Sequence, residues 1–201
     1  MGDTAIYGAS SIIGRFLNWW LVPYHAGIFG PETYGVVSNL YSYVAFALIF
    51  LTYGMETGFF RFASRSKEPE KVYTTSLISL FCSSLLFVFL VGLFRDQLAS
   101  SMQYPGHPEY IWWLALTVSI DAFTSIPFSR LRLQSRPVKF ALIKIINIAF
   151  NIGFNVFFLS VCPWILKNYP GSFLLEIYNP NIGVGYVFIA NLLASDRKSV
   201  V

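Results

Sequence analysis

Four apolar stretches of this chain carry side chains that could bind or move a charged ligand. Thr4, Gly8, Ser11, Arg15 and Asn18 recur at three- and four-residue spacing in the first stretch. Lys144, Asn147, Asn151 and Asn155 do so in a later one. At about 3.6 residues per turn each set covers roughly 80° of a helix surface. Ser38, Ser42, Thr52 and Glu56 align in the same way, and Asp121 shares a face with Thr117 and Thr124. A charge at mid-depth in a bilayer costs about 2.5–3.5 kcal/mol, so each such residue has a functional reading by default. Arg15 would stand about 18 Å along a helix from Asp3, well inside a span. Its guanidinium stays charged, and its fork donates paired hydrogen bonds, which suits phosphate. Two readings of it stay open: a structural ion pair with Glu56 or Asp121, or a ligand for an anion in a hydrated cavity. Lys144 and Arg61 could add to the same cationic field, although Lys144 could equally snorkel to the membrane edge. The asparagine ladder fits either interhelical hydrogen bonding, about 0.6–2 kcal/mol per bond, or a cavity wall. Ser76, Ser79 and Ser83 read as packing residues.

Other chemistry is poorly represented. His25 and His107 have no metal-ligand spacing, and neither opens an H-x-x-x-x-D acyltransferase pattern. No phosphate-cradling glycine loop and no G-x-S-x-G turn occurs. Cys82 and Cys162 both fall in apolar stretches and are expected to pack helices, not to pair with each other. No metal, no cofactor and no nucleic-acid partner is expected.

The elements that must position these residues follow from composition. Of 201 residues, 55% are apolar and 12% charged, against about a quarter charged in an ordinary soluble domain. Mean hydropathy is +0.57. Such a chain has too few polar residues to coat a soluble globule and too little charge for disorder. The expectation is an all-α integral membrane protein, a polytopic helix bundle. Its spans are placed at residues 4–29, 34–62, 72–94, 110–128 and 138–162, with a sixth, incomplete, at 182–195. Gly30-Pro31, Pro105-Gly106, Pro163 and Pro170-Gly171 punctuate the connections. Arg61, Arg65, Lys67, Lys71, Arg130, Arg132, Arg136 and Lys139 fall on one side, only Arg95 and Lys167 on the other. That bias puts the first group and the N-terminus in the cytoplasm. Trp19, Trp20, Tyr24, Trp112, Trp113 and Trp164 stand where an interfacial aromatic belt would lie.

The sixth stretch, Gly183 to Ser195, has too few apolar residues to cross a bilayer. It gives way to Asp196-Arg197-Lys198-Ser199-Val200-Val201. Those six residues are expected to be a non-native tail. The string GAT-CGG-AAG-AGC-GTC-GTG encodes them and reads like a sequencing adapter. The coding sequence is then expected to be cut within the sixth helix.

Several segments together resemble bacterial polysaccharide and O-antigen flippases of the Wzx type. They are the opening Asp3-Thr4-Ala5-Ile6-Tyr7-Gly8-Ala9-Ser10-Ser11-Ile12-Ile13-Gly14-Arg15 and Phe29-Gly30-Pro31-Glu32-Thr33-Tyr34-Gly35-Val36-Val37. Two more are Thr52-Tyr53-Gly54-Met55-Glu56-Thr57-Gly58-Phe59-Phe60-Arg61-Phe62 and the basic Arg132-Leu133-Gln134-Ser135-Arg136-Pro137. The resemblance places the chain in a MATE-like superfamily that also holds multidrug exporters. It implies the N-terminal lobe of a two-lobed transporter in the bacterial inner membrane. The substrate it implies is an undecaprenyl-pyrophosphate-linked oligosaccharide, moved for surface polysaccharide or lipopolysaccharide biosynthesis. The partners it implies are that lipid-linked substrate, membrane lipids and other polysaccharide-assembly membrane proteins. Arg15 matches the cationic cavity residue expected to meet the pyrophosphate, and Arg61 a second basic position. The candidate cavity set is Arg15, Asn18, Glu56, Arg61, Asp121, Lys144, Asn147 and Asn151. The competing readings are a cation exporter of the same superfamily and a membrane enzyme of polysaccharide assembly.

Overall fold

Proline and glycine mark the helix ends. Pro31, Pro69, Pro108 and Pro137 each stand in the first turn of a helix, where the missing N–H has no intrahelical partner to lose. The computed structural model describes residues 2–169 and 178–199, without the side chains of residues 2–6, 181 and 196–199. The Thr4 side chain of the first stripe and residues 170–177 therefore lie outside what the structure describes. The helices are α1 (Gly2–Phe29), α2 (Pro31–Thr52), α3 (Met55–Ala63), α4 (Pro69–Leu93), α5 (Arg95–Ser101), α6 (Pro108–Leu133), α7 (Pro137–Val156), α8 (Cys162–Asn168) and α9 (Gly185–Ser199). No strand occurs among the described residues. A π-helical stretch, Phe157–Val161, joins α7 to α8 without a break in the rod. Pro163 explains it: the ring cannot tolerate the carbonyl four residues back, at Leu159, in a regular α-turn.

Four helical segments are long and apolar enough to cross a membrane: Pro31–Ala63, Pro69–Leu93, Pro108–Leu133 and Pro137–Asn168. This is fewer than the five complete spans expected. The 28-residue α1 has the length, but Ser11, Arg15 and Asn18 dilute its apolar character. In α9 the apolar part is Gly185–Ser195, shorter than a span. The helix itself continues to Ser199, through the first four residues of the expected tail.

The second stretch departs from a single rod. Tyr53 and Gly54 adopt left-handed backbone, φ 35° and 71°, and divide it into α2 and α3. The expected alignment of Ser38, Ser42, Thr52 and Glu56 is thereby broken. Ser42 and Thr52 bond back to the carbonyls of Ser38 and Leu48, while Glu56 opens α3. The polar segment after α4 also starts as a helix, α5, which packs on α6.

Helix α6 is the hub, in contact with α2, α3, α4, α5, α7 and α9, while α7 also packs on α1 and α9. Half of the most apolar window of α6 (50%) is buried, against 17–22% in the other three candidate spans. Enclosure explains why α6 carries the buried polar residues Thr117, Ser119, Thr124 and Ser129. Thr117 and Thr124 donate to the carbonyls of Trp113 and Asp121. One apolar cluster, around Leu40, Leu114 and Phe188, holds one end of the bundle. A second, Phe59, Leu80 and Ile126, holds the other. Between helices in lipid such contacts act through close packing, not through release of water.

Phe16, Trp19, Trp20, Phe50, Phe89 and Trp164 are exposed on the outside, an apolar surface suited to acyl chains. Trp112 and Trp113, near the start of α6, are half-buried. The Trp112 ring closes over Gly92, and Trp113 over Gly185, so both pack between helices. Cys82 and Cys162 are free thiols.

Candidate functional site

The polar faces of α1, α6 and α7 meet the start of α3 around a cavity of about 470 Å³. Five charged side chains line it: Arg15 from α1, Glu56 from α3, Asp121 and Arg132 from α6, and Lys144 from α7. The cations exceed the anions by one. Arg132 Nη2 lies 3.0 Å from Glu56 Oε2. Ser195 of α9 donates to Asp121 Oδ1 at 3.0 Å. Lys144 donates to Ser11 Oγ at 3.0 Å and stands 5.5 Å from the Phe140 ring centre. This contact ties α7 to α1, so Lys144 does not snorkel away from the bundle. Gly14 makes the approach possible, since a Cβ there would meet Ile148 Cδ1 at 2.9 Å. Asn147 donates to the carbonyl of Ala194.

Arg15 differs from the other four. Among the described residues it makes no ion pair and no hydrogen bond, and its side chain is exposed on the cavity. Of the two readings open for it, the structural pair with Glu56 or Asp121 is not the one formed: Glu56 pairs with Arg132 instead.

A second, smaller chamber of about 260 Å³ adjoins the first at Asn18, which lines both. Here α1, α2, α7 and α9 contribute. His25 Nε2 is 2.7 Å from Asn155 Oδ1, and both residues are buried. Asn155 Nδ2 donates to the backbone carbonyl and side-chain oxygen of Asn151, both at 2.8 Å. Asn191 donates to the Tyr41 hydroxyl at 2.8 Å.

The structure thus gathers Arg15, Asn18, Glu56, Asp121, Lys144 and Asn147 around one cavity and places Asn151 in the adjoining chamber. Arg61 lines neither. It lies exposed in the last turn of α3. Sequence reasoning missed Arg132, which it assigned to a loop. Helix α6 runs to Leu133, and Arg132 follows Asp121 by eleven residues, three turns, on the same face. His25 was passed over as well, although it follows Asn18 by seven residues on the stripe that carries Arg15. Neighbouring Arg130 forms a two-pronged bridge to Glu70, at 2.7 and 2.8 Å, and lies over the Tyr73 ring. It joins α4 to α6 at the same end as Glu56–Arg132.

No group of three or more His, Cys, Asp or Glu residues that could hold a metal occurs among the described residues. The cavity brings together two guanidinium groups, Arg15 and Arg132, the Lys144 ammonium and neutral donors.

Neither a curated protein nor a solved structure matches the chain. Residues 26–165 match the family described as polysaccharide biosynthesis protein. The match begins near the end of α1 and runs into α8, taking in Glu56, Asp121, Arg132, Lys144 and Asn147, with Arg15 and Asn18 before it. More than half of the chain is covered, and this helical membrane protein belongs to the polysaccharide biosynthesis protein family.

Proposed function

We propose that the chain forms the N-terminal lobe of a flippase for lipid-linked oligosaccharide, with undecaprenyl pyrophosphate as the carrier. Arg15 supports this reading most directly: a guanidinium on a cavity wall whose neighbouring charges are already engaged. A pyrophosphate brings negative charge and acceptor oxygens, which a guanidinium fork meets with paired hydrogen bonds. Lys144, half-buried beside it, adds a second cationic donor. The headgroup cannot cross hydrocarbon unaided, whereas the polyprenyl tail can stay in it. A hydrated cavity that opens alternately to the two sides, by rocking against a second lobe, would carry the headgroup across. The basic turns after α3 and α6 fit a cytoplasmic face, with the N-terminus on the same side of a bacterial inner membrane. The product would be surface polysaccharide or lipopolysaccharide O-antigen.

A cation exporter would need carboxylates free to take up the cargo. Glu56 already pairs with Arg132, and three cations against two carboxylates line the cavity, which favours the anionic cargo. The test is Arg15→Ala in the full-length protein. Surface polysaccharide is expected to disappear while the protein stays at its normal level in the membrane. Unchanged polysaccharide would remove Arg15 as a headgroup ligand. New glycosidic or ester bonds formed by the purified protein would favour the enzyme reading instead.

A further inference from the structure

The chamber beyond Asn18 has a different chemistry from the cavity that holds Arg15. Among the described residues lining it, none carries a fixed charge. Its polar groups are amides, phenols and one imidazole, which suits neither a phosphate nor a bare cation.

The hydrogen bonds fix what the chamber offers. A backbone carbonyl only accepts, so Asn155 Nδ2 must be the donor to Asn151. Asn155 Oδ1 therefore faces His25 as an acceptor, and His25 Nε2 carries the proton. In the neutral ring, Nδ1 is left as an acceptor with no protein donor among the described residues. Tyr41 accepts from Asn191, which leaves its own hydroxyl proton to give away. Asn151 keeps unused N–H capacity after accepting from Asn155. Tyr34 adds an aromatic face, its ring centre 5.9 Å from that of His25. Neutral donors and acceptors beside an aromatic face match a polyhydroxylated ring, whose hydroxyls both donate and accept. The volume of about 260 Å³ lies just below the roughly 300–1,000 Å³ of drug-sized sites, as fits a single ring.

Position agrees with this division. Along α1, Arg15 and His25 are ten residues apart, about 15 Å of helix rise, with Asn18 between them lining both spaces. A headgroup whose pyrophosphate lies at Arg15 would direct its first sugar past Asn18. We propose that this chamber is a sugar subsite, which reads the first monosaccharide of the lipid-linked headgroup through neutral hydrogen bonds. The proposal rests on the flippase reading and adds a site that the pyrophosphate contacts do not require.

The test uses the purified full-length protein and four probes. They are undecaprenyl pyrophosphate alone and the same lipid carrying one hexose, one N-acetylhexosamine or one deoxyhexose. At least one glycosylated probe is expected to bind about tenfold more tightly than the bare lipid, the worth of one or two neutral hydrogen bonds. Tyr41→Phe and Asn191→Ala are expected to erase that gain and leave bare-lipid affinity intact, which also reports a folded protein. Arg15→Ala is expected to weaken every probe alike. The subsite is overturned if no sugar adds affinity, or if the gain survives both chamber substitutions. If even the bare lipid fails to bind the unmodified protein, the flippase reading fails and the subsite falls with it.

Discussion

Arg132 Nη2 reaches Glu56 Oε2 at 3.0 Å and so closes a bridge between the last turn of α6 and the first turn of α3. Both side chains keep about two-fifths of their surface, 39% and 43%. A pair this exposed contributes about 0–1 kcal/mol. Its larger effect is on the cavity, where Glu56 offsets one of the three cations. Glu56→Gln is expected to leave thermal stability nearly unchanged and to raise affinity for undecaprenyl pyrophosphate. Export of surface polysaccharide should persist in cells carrying this variant. Loss of export, with uptake or efflux of organic cations abolished in parallel, would support the cation-exporter reading.

Lys144 is tethered to Ser11 across α7 and α1, so its role in binding and its role in packing can be separated. Lys144→Met keeps the aliphatic stem and removes the charge. Hydrogen bonds to charged groups are worth about 1.5–3 kcal/mol, so affinity for undecaprenyl pyrophosphate should fall about tenfold or more. Ser11→Ala removes only the tether and should weaken binding far less. Equal losses in the two variants, measured on the purified full-length protein, would reduce Lys144 to a packing residue.

The asparagines of α7 divide by depth. Asn155 is 1% exposed and His25 5%, and their 2.7 Å contact joins α1 to α7. Asn155→Leu would leave the His25 N–H buried without an acceptor, at a cost of about 1–3 kcal/mol. The melting temperature in detergent should drop accordingly. Adding His25→Leu should recover part of the loss, because the buried imidazole N–H that Asn155→Leu orphans is then removed. A double variant less stable than Asn155→Leu alone would show that the pair is not what holds the two helices.

Much of this arrangement was legible in the residues. Three- and four-residue spacing marked the faces of α1 and α7 that line the cavity, because a membrane helix must turn its polar side chains away from lipid. Periodicity also assumed continuous rods, and there it failed. Tyr53-Gly54 interrupts the second stretch, so Ser38 and Ser42 left the expected face while Glu56 stayed on the cavity. Arg132 was hidden by a bias in composition: charge at the end of an apolar run reads as loop, yet α6 stays helical to Leu133 with Arg130 and Arg132 in its last turn, where cations suit the helix C-terminus. Partners far apart in sequence, such as Asn191 with Tyr41 or Ser195 with Asp121, had no local signal. Only the packing of α9 against α6 and α7 brings them together.

The break at Tyr53-Gly54 can be tested by two glycines four residues apart. Gly54 sits at φ 71°, with nothing within 4 Å of where a Cβ would stand. Space is therefore not what requires glycine; the left-handed backbone is, and a Cβ in that conformation costs about 1–2 kcal/mol. Gly58 lies within α3 and has the same open space at the Cβ position, but its backbone is ordinary helix. There an alanine removes conformational freedom from the unfolded chain and should stabilise by about 0.4–1 kcal/mol. Gly54→Ala is expected to lower the melting temperature of the full-length protein and Gly58→Ala to raise it. If Gly54→Ala were neutral, α2 and α3 would be free to run straight. Glu56 would then turn off the cavity, and the Arg132 bridge would open with it.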